Sequence, residues 1–243
     1  MQLIFKSCIK KKIMIWKDIG YLLKIVNYSE NSSVASFVTH KHGLHKGVIY
    51  GATSKKKKNY LQIGNKFSLN WKSKTEDALG YYDLELKNAV TAKFFDQPDK
   101  LNFIQSLSEL CCKVLAERYD YSELFNYTDL FINNIGDPNA LKFYILWEKE
   151  LLKSIGFELN PDNKNFNFYK NNLSEWILEI DNKKFFYPNF LIDTNSNCED
   201  TDLYKGLMIN KFIFKRFIFE PNKIRFPEVR DRIEKKINEK EQN

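Results

Sequence analysis

The stretch VTHKHGLHKGVIYGATSKKKKNY, residues 38–60, holds two glycine-bounded turn signals and every histidine of the chain. Gly43 precedes the segment Leu44–Tyr50, and Gly51 follows it, so the pattern predicts a strand between two turns. The three histidines and four consecutive lysines, Lys55–Lys58, surround this strand. The stretch is therefore a candidate metal site, a candidate catalytic loop or part of a surface that binds a polyanion.

The sequence on either side predicts four more strands. Apolar residues alternate with polar ones, or form short runs, at Tyr21–Ile25, Val34–Thr39, Lys66–Trp71 and Tyr81–Val90. Side chains two residues apart share one face of a strand, and glycines mark the boundaries between the runs. Five short strands punctuated by glycines are typical of a small closed barrel. We expect this barrel at residues 14–92.

The period becomes helical after Phe94. Start signals at Pro98, Ser122 and Asp137–Pro138 predict three helices, and Gly156 ends the third. Residues 203–219 and 229–237 again carry helix-compatible apolar positions, whereas the asparagine-rich residues 157–202 between them show little periodicity. The predicted fold class is α+β: a five-stranded barrel followed by an α-helical domain at 93–243, with a small irregular insertion at about 157–202.

Composition favours a reduced intracellular protein. The four cysteines form no CxxC pair, and no uninterrupted apolar run is long enough for a membrane helix. In residues 1–13 the lysines follow the apolar stretch, which is not the order of a signal peptide. We expect translation to start at Met14, or residues 1–13 to be disordered. The expected location is the cytoplasm, without membrane association.

The net charge of +7 is unevenly distributed. Residues 1–90 contain 16 lysines and six acidic residues, whereas residues 91–243 contain 22 basic and 25 acidic residues. No Asp or Glu occurs between Glu30 and Glu76, yet nine lysines do. A long segment of one charge sign favours a polyanionic partner such as nucleic acid.

The metal and catalytic interpretations of the opening stretch lack support. A zinc site needs three or four His, Cys or carboxylate ligands, and the residues that follow His45 supply neither cysteine nor acid for thirty positions. The chain contains no GxSxG, HExxH or phosphate-loop motif and no paired-carboxylate signature. We therefore predict no catalytic residue, no metal ligand and no cofactor, with a histidine-dependent metalloenzyme as a rival that elemental analysis would test.

The polyanion interpretation rests on lysines interleaved with aromatic rings. Lysines neutralise phosphates, and aromatic side chains stack on bases without regard to sequence. Trp71 shares a strand face with Phe67, so either ring can belong to the core instead, and Tyr50 is a further candidate ring. The predicted nucleic-acid-binding residues are Lys41, His45, Lys46, Lys55, Lys56, Lys57, Lys58, Tyr60, Lys66, Trp71, Lys72 and Lys74.

Three blocks of the sequence, in order, resemble the RecO family of bacterial recombination mediators. The first is DIGYLLKIVNYSENSSVASFVTHKHGLHKGVIYGATSKKKKNYLQIGN, residues 18–65. The second, FYILWEKELLKSIGFELN at 143–160, is similar to the family's helical signature through Trp147, Glu148 and Gly156. The third, FPEVRDRI at 226–233, is similar to its C-terminal signature through Pro227 and Arg230.

This resemblance implies an OB-fold domain, a helical domain and no enzymatic turnover. It implies a nucleoid-associated protein of the bacterial cytoplasm that binds single- and double-stranded DNA and anneals complementary strands. The implied partners are RecR, the single-stranded DNA-binding protein and, indirectly, RecA. Some family members carry a four-cysteine zinc site, which cannot be carried over because residues 157–202 contain only Cys198. An OB-fold RNA-binding translation or ribosome factor, and a scaffold that works through protein contacts, stay open as alternatives.

Overall fold

The computed structural model describes residues 14–75 and 77–241. The extension expected at residues 1–13 lies outside this range. Within the described ranges, no helix combines the length and apolar character that crossing a lipid bilayer requires.

The N-terminal part is a closed five-stranded barrel. Its strands are β1 (Met14–Ser29), β2 (Ser32–Thr39), β3 (Gly43–Tyr50), β4 (Lys66–Ser73) and β5 (Tyr81–Asn88). They follow one another around the barrel in the order β1-β2-β3-β5-β4, and β1 pairs with β4 to close it. Only β3 and β5 are parallel among these pairs. The short helix α1 (Lys55–Lys58) connects β3 to β4. The predicted OB-fold barrel is confirmed.

The inward-facing apolar side chains of the alternating strands fill the barrel. Phe67, Leu69 and Trp71 of β4 point inward and pack with Phe37 and Tyr82 in one buried cluster. The residues between them in β4 are half-exposed on the outside. Because neighbouring residues of a strand point to opposite faces, one apolar residue in two is enough to build this core.

The α-helices that follow the barrel are α2 (Val90–Lys93), α3 (Pro98–Val114), α4 (Ser122–Asn133), α5 (Ala140–Ser154), α6 (Asp200–Ile213) and α7 (Glu228–Glu241). Of these, α3 packs on β1 and α4 packs on β2, on the outer surface of the barrel. Outward-facing Tyr21, Leu23, Val38 and Leu44 belong to the same buried core as the helices. Val90, predicted as the end of the fifth strand, instead begins α2, because β5 ends at Asn88.

Gly43 lets the chain after α3 approach the barrel closely. It has φ of +61°, and a side chain added there would place its Cβ 1.7 Å from the carbonyl oxygen of Tyr119. The next residue, Leu44, accepts a main-chain hydrogen bond from Arg118 (2.9 Å). Glycine is thus required at this position both by the turn and by the neighbouring chain.

A second, smaller sheet occupies the asparagine-rich segment that was expected to be irregular. It contains β6 (Asn167–Lys170), β7 (Trp176–Ile180) and β8 (Lys183–Phe186), all antiparallel. Only β7 had an alternating pattern long enough to notice, since β6 and β8 have four residues each. A six-residue π-helical turn, Phe214–Phe219, follows α6.

The helical signature (residues 143–160) and the C-terminal signature (residues 226–233) are joined by a buried ion pair. The Arg230 guanidinium donates from Nε to Oε1 of Glu148 (2.5 Å) and from Nη2 to Oε2 (3.1 Å). It also donates to the carbonyl oxygen of Leu207 (2.8 Å), and both charged side chains are fully buried. These bonds connect α5, α6 and α7, so the residue types in the two signatures are explained by packing of the helices.

Candidate nucleic-acid interface

The three histidines of the opening stretch do not converge. The His40 ring lies 5.3 Å from the Phe125 ring, against α4. The Nδ1 atom of His42 is 2.8 Å from Oδ2 of Asp18, and its ring stacks on Trp16 at 3.9 Å. Across residues 14–75 and 77–241, no three His, Cys, Asp or Glu side chains are grouped so that they could hold a metal ion.

His45 is part of the barrel core. Its side chain is hydrogen-bonded through Nδ1 to the Tyr82 hydroxyl (2.8 Å), and the residue is only 3% exposed. Burial, with the nearby charges of Arg118 and His42, lowers the pKa of His45 to about 4. A neutral imidazole enclosed in this way cannot contact a phosphate. His45 was predicted to bind DNA, and the structure gives it a packing role instead.

Trp71 and Tyr60 also pack inward. Trp71 is 2% exposed, stacks on Trp16 at 5.4 Å and donates its indole N–H to the carbonyl oxygen of Leu79 (3.1 Å). Its ring therefore has no free face on which a base could stack, which settles the open alternative in favour of the core. Tyr60 is half-buried against Phe67, and burial raises the pKa of Tyr60.

Three of the predicted lysines are ion-paired with carboxylates from outside the acid-free segment. Lys46 pairs with Glu117 (2.5 Å), Lys72 approaches Asp83 (3.8 Å), and Lys66 pairs with Asp129. Lys66 also lies over the Tyr21 and Phe125 rings, where it fastens β4 to α4. Its location between the barrel and the helices corrects its assignment to a DNA surface.

The remaining lysines fall into separate places. Lys41 lies in the β2–β3 turn, and Lys74 follows β4; both are exposed. Lys55–Lys58 lie beyond the opposite end of β3. Eight residues of strand span about 25 Å, so Lys41 and the α1 lysines mark two ends of the barrel rather than one cluster.

The structure brings the α1 lysines together with two exposed tyrosines. Ser54 caps α1 by accepting a hydrogen bond from the Lys57 amide, and the Lys57 ammonium donates to the carbonyl oxygen of Tyr50 (2.6 Å). The Tyr50 ring lies 5.7 Å from the Tyr81 ring, and these residues are 62% and 39% exposed. We call Tyr50, Lys55–Lys58, Lys72 and Tyr81 the tyrosine–lysine face.

A row of outward-facing residues extends this face across the barrel. Val26, Val34, Val48 and Tyr81 are paired in register on β1, β2, β3 and β5, and Lys72 is paired with Tyr81. Tyr81 was missed in the sequence, although the alternation that turns Tyr82 inward also turns Tyr81 outward. The adjacent loop brings one acid close: the Thr53 hydroxyl donates to the main-chain carbonyl of Glu30 (2.9 Å).

The chemistry available here is non-specific recognition of a polyanion. Ammonium groups bind phosphate as point charges, and phenol rings offer flat surfaces to bases. Arginine, whose planar fork reads guanine edges, does not occur before Arg118. The face therefore has the parts for holding a strand but not for reading its sequence.

Comparison with known proteins connects this barrel to a family. Residues 14–89 match the family model described as "Recombination protein O N terminal". The chain is 26% identical over 240 residues to "DNA repair protein RecO" of Hyphomonas neptunium, covering 92% of this chain and 98% of the relative. It is 28% identical over 232 residues to the protein of that name from Bartonella tribocorum (89% and 93% covered). The corresponding protein of Rickettsia canadensis is 26% identical over 219 residues (85% and 90%).

Proposed function

Because this chain resembles the RecO family of DNA repair proteins along most of its length, we propose that it is a non-enzymatic recombination mediator. The names of its relatives support a role in DNA repair and recombination. We propose more specifically that it binds single- and double-stranded DNA and anneals complementary strands. With RecR it would help to load RecA at gaps coated by the single-stranded DNA-binding protein, in the bacterial cytoplasm at the nucleoid.

The observation that carries this proposal is the tyrosine–lysine face. Four consecutive lysines extend from a capped helical turn, and three of them (Lys55, Lys56 and Lys58) are exposed. They adjoin two exposed rings on the outside of a closed barrel. Cationic grooves with exposed aromatic rings are the usual means by which OB-folds bind single strands.

This arrangement suits annealing better than tight binding. Lysines reduce the repulsion between the phosphates of two approaching strands, because each bound ammonium group neutralises a phosphate charge and releases its counterion. Stacking on tyrosine does not depend on base identity, so bases can leave the rings when a complementary strand becomes available. Base-specific contacts would hold one sequence and slow this exchange.

The test is a triple variant, Lys55→Gln, Lys56→Gln and Lys58→Gln. Lys57 is kept because its ammonium bonds to the Tyr50 carbonyl and stabilises the loop. We expect weaker binding of single-stranded DNA and a log-affinity against log-salt slope that is flatter by about 2, since each lost phosphate contact on a single strand removes about 0.7. Annealing of strands coated with the single-stranded DNA-binding protein should slow in parallel.

The matched control removes three exposed charges elsewhere: Lys93→Gln, Arg232→Gln and Lys235→Gln. It should keep the wild-type slope and annealing rate. Equal behaviour of the two triple variants would refute the face as the binding site. Competition between RNA and DNA oligonucleotides of one sequence tests the RNA-binding alternative, which predicts a preference for RNA.

A further inference from the structure

A second acid-free segment lies in the C-terminal half. No Asp or Glu occurs between Asp202 and Glu220, whereas Lys205, Lys211, Lys215 and Arg216 do. This is a local exception, because residues 91–243 as a whole contain more acids than bases. The segment comprises most of α6 and the π-helical turn that follows it.

The small sheet borders this segment along a groove. The Phe185 ring of β8 packs on the Phe212 ring of α6 at 4.8 Å, which holds the two elements together. The groove has a volume of about 520 Å³, and its lining includes Lys183, Lys215 and Arg216. A π-helical turn inside a helix is frequent at functional sites, because it redirects side chains that a regular helix would space differently.

Carboxylates neutralise only part of the positive charge in the groove. Arg216 pairs with Asp181 (2.5 Å), and Lys211 pairs with Asp231 and Glu234 (2.8 Å each). The other acid in the lining is Glu220. Lys183 and Lys215, which also line the groove, make no ion pair with any residue in the described ranges.

The unpaired ammonium groups lie over aromatic rings. Lys183 is 5.3 Å from the centre of the Phe212 ring, and Lys215 is 5.2 Å from that of Phe226. Phe212 is half-buried, so part of its ring faces solvent beside the Lys183 ammonium group. Lys184, the next residue of β8, points to the opposite face of the small sheet, where it lies over Tyr169 and outside the groove. Such contacts orient the lysines without neutralising their charge.

We propose that Lys183 and Lys215, together with the half-exposed Phe212 ring beneath Lys183, form a second binding surface for single-stranded nucleic acid in this groove. We call it the π-turn face. Its two ammonium groups bind phosphates, and the Phe212 ring binds a base by stacking. The inference rests on the proposed function for the identity of the polyanion, but the charge pattern that supports it is independent of the barrel.

The two faces belong to different parts of the molecule. α4 packs on β2, α5 packs on α4, α6 packs on α5, and β8 packs on α6. Three packed helices therefore connect the barrel to the small sheet. One protein molecule can then hold two strands, or two segments of one strand, at the same time. Pairing of two held strands would make annealing depend on both faces.

The experiment compares three variants of the full chain. The first is Lys183→Gln and Lys215→Gln, which removes both ammonium charges of the groove and keeps flexible polar side chains at the two positions. The second carries the three α1 substitutions described above, and the third carries all five. Each is titrated with a single-stranded oligonucleotide of about 15 nucleotides, within the range that one OB-fold binds. Circular dichroism and thermal melting check that each variant is folded.

We expect wild-type protein to bind two oligonucleotides, each of the first two variants to bind one, and the five-fold variant to bind none. Unchanged stoichiometry and salt slope in the folded π-turn-face variant, equal to the Lys93, Arg232 and Lys235 control, would overturn this inference. Loss of a site in that variant, with no effect of the α1 substitutions, would instead refute the tyrosine–lysine face and keep the π-turn face. If the variants lose their sites for duplex DNA but keep them for the single-stranded oligonucleotide, the choice of single strands as the ligand is refuted.

Discussion

The inner and outer sides of the barrel use the same kinds of residue in opposite ways. On the inner side, Trp16, Trp71, His42 and His45 form a packed column of rings, and each imidazole has a hydrogen-bonding partner within the chain. On the outer side, the Tyr50 and Tyr81 rings and the α1 lysines face solvent. Aromatic and cationic residues alone do not reveal a binding site. What matters is whether the fold already supplies their partners.

The C-terminal half shows the same contrast. Glu148 and Arg230 form an ion pair inside the helical core, whereas Lys183 and Lys215 line the groove beside the small sheet without carboxylate partners among the described residues. Partnered groups should therefore govern stability, and unpartnered ones should govern binding. The substitutions below test this separation.

The largest effect is expected at the buried ion pair. Arg230→Ala leaves the Glu148 carboxylate buried without its counter-charge, so we expect the free energy of unfolding to fall by about 3–5 kcal/mol. Urea denaturation measures this change. The control is Arg232→Ala, at an exposed position two residues away, which should change stability by less than about 0.5 kcal/mol. Similar losses in both variants would contradict the structural role of the pair.

His45 should make stability depend on pH. Its pKa is about 4 in the folded protein and 6.5 ordinarily, so between these values the unfolded chain binds a proton that the folded chain does not. The stability contribution of the neutral ring is complete above pH 6.5 and is lost as the pH falls towards 4. The difference corresponds to roughly 3 kcal/mol.

The measurement compares the free energy of unfolding of wild type and His45→Gln between pH 7 and pH 4. The variant lacks the titrating group, so the stability advantage of wild type should shrink steadily across this range. An advantage that stays constant with pH would show that the imidazole is accessible to protons in the folded barrel.

The fold was largely readable from the sequence because its signals are local. Alternation and flanking glycines gave the five barrel strands, and helix start signals at Pro98 and Ser122 coincide with the first residues of α3 and α4. The strands of the small sheet were mostly missed. Four residues are too few to establish a period, and β6 and β8 are fixed by pairing with β7 rather than by their own pattern.

The candidate site was only partly readable because it depends on distant partners. The lysine run and Tyr50 were recognised, but alternation does not tell which of two strand faces becomes the inside of a closed barrel, and Trp71 was misassigned. The carboxylates that occupy Lys46 and Lys66 lie 71 and 63 residues further along the chain. No local sequence pattern predicts such a contact.

The exposed rings should affect binding without affecting its salt dependence. Tyr50→Leu and Tyr81→Leu keep apolar bulk but remove the stacking surface, which contributes about 1–3 kcal/mol per base. We expect affinity for single-stranded DNA to fall about tenfold for each ring that contacts a base, with an unchanged log-salt slope. Tyr119→Leu, at an exposed ring outside the barrel, is the control. A flatter slope in the double variant would mean that the lysines had moved as well.

The smallest effect is expected at Lys46, which has a carboxylate partner and yet lies on the outer face of the barrel. It lies on the outer face of β3 in line with Val48 and Tyr50, yet Glu117 occupies its ammonium. An exposed pair of this kind contributes about 0.2–1 kcal/mol, so Glu117→Gln should barely change stability. It should free Lys46 for one more phosphate and steepen the salt slope by about 0.7.

Adding Lys46→Gln should restore the original slope, whereas Glu85→Gln, which frees Lys87 on β5, should not change it. If Glu117→Gln leaves the slope at its wild-type value, the bound strand passes Tyr50 without reaching the middle of β3, and the tyrosine–lysine face ends at the valine row.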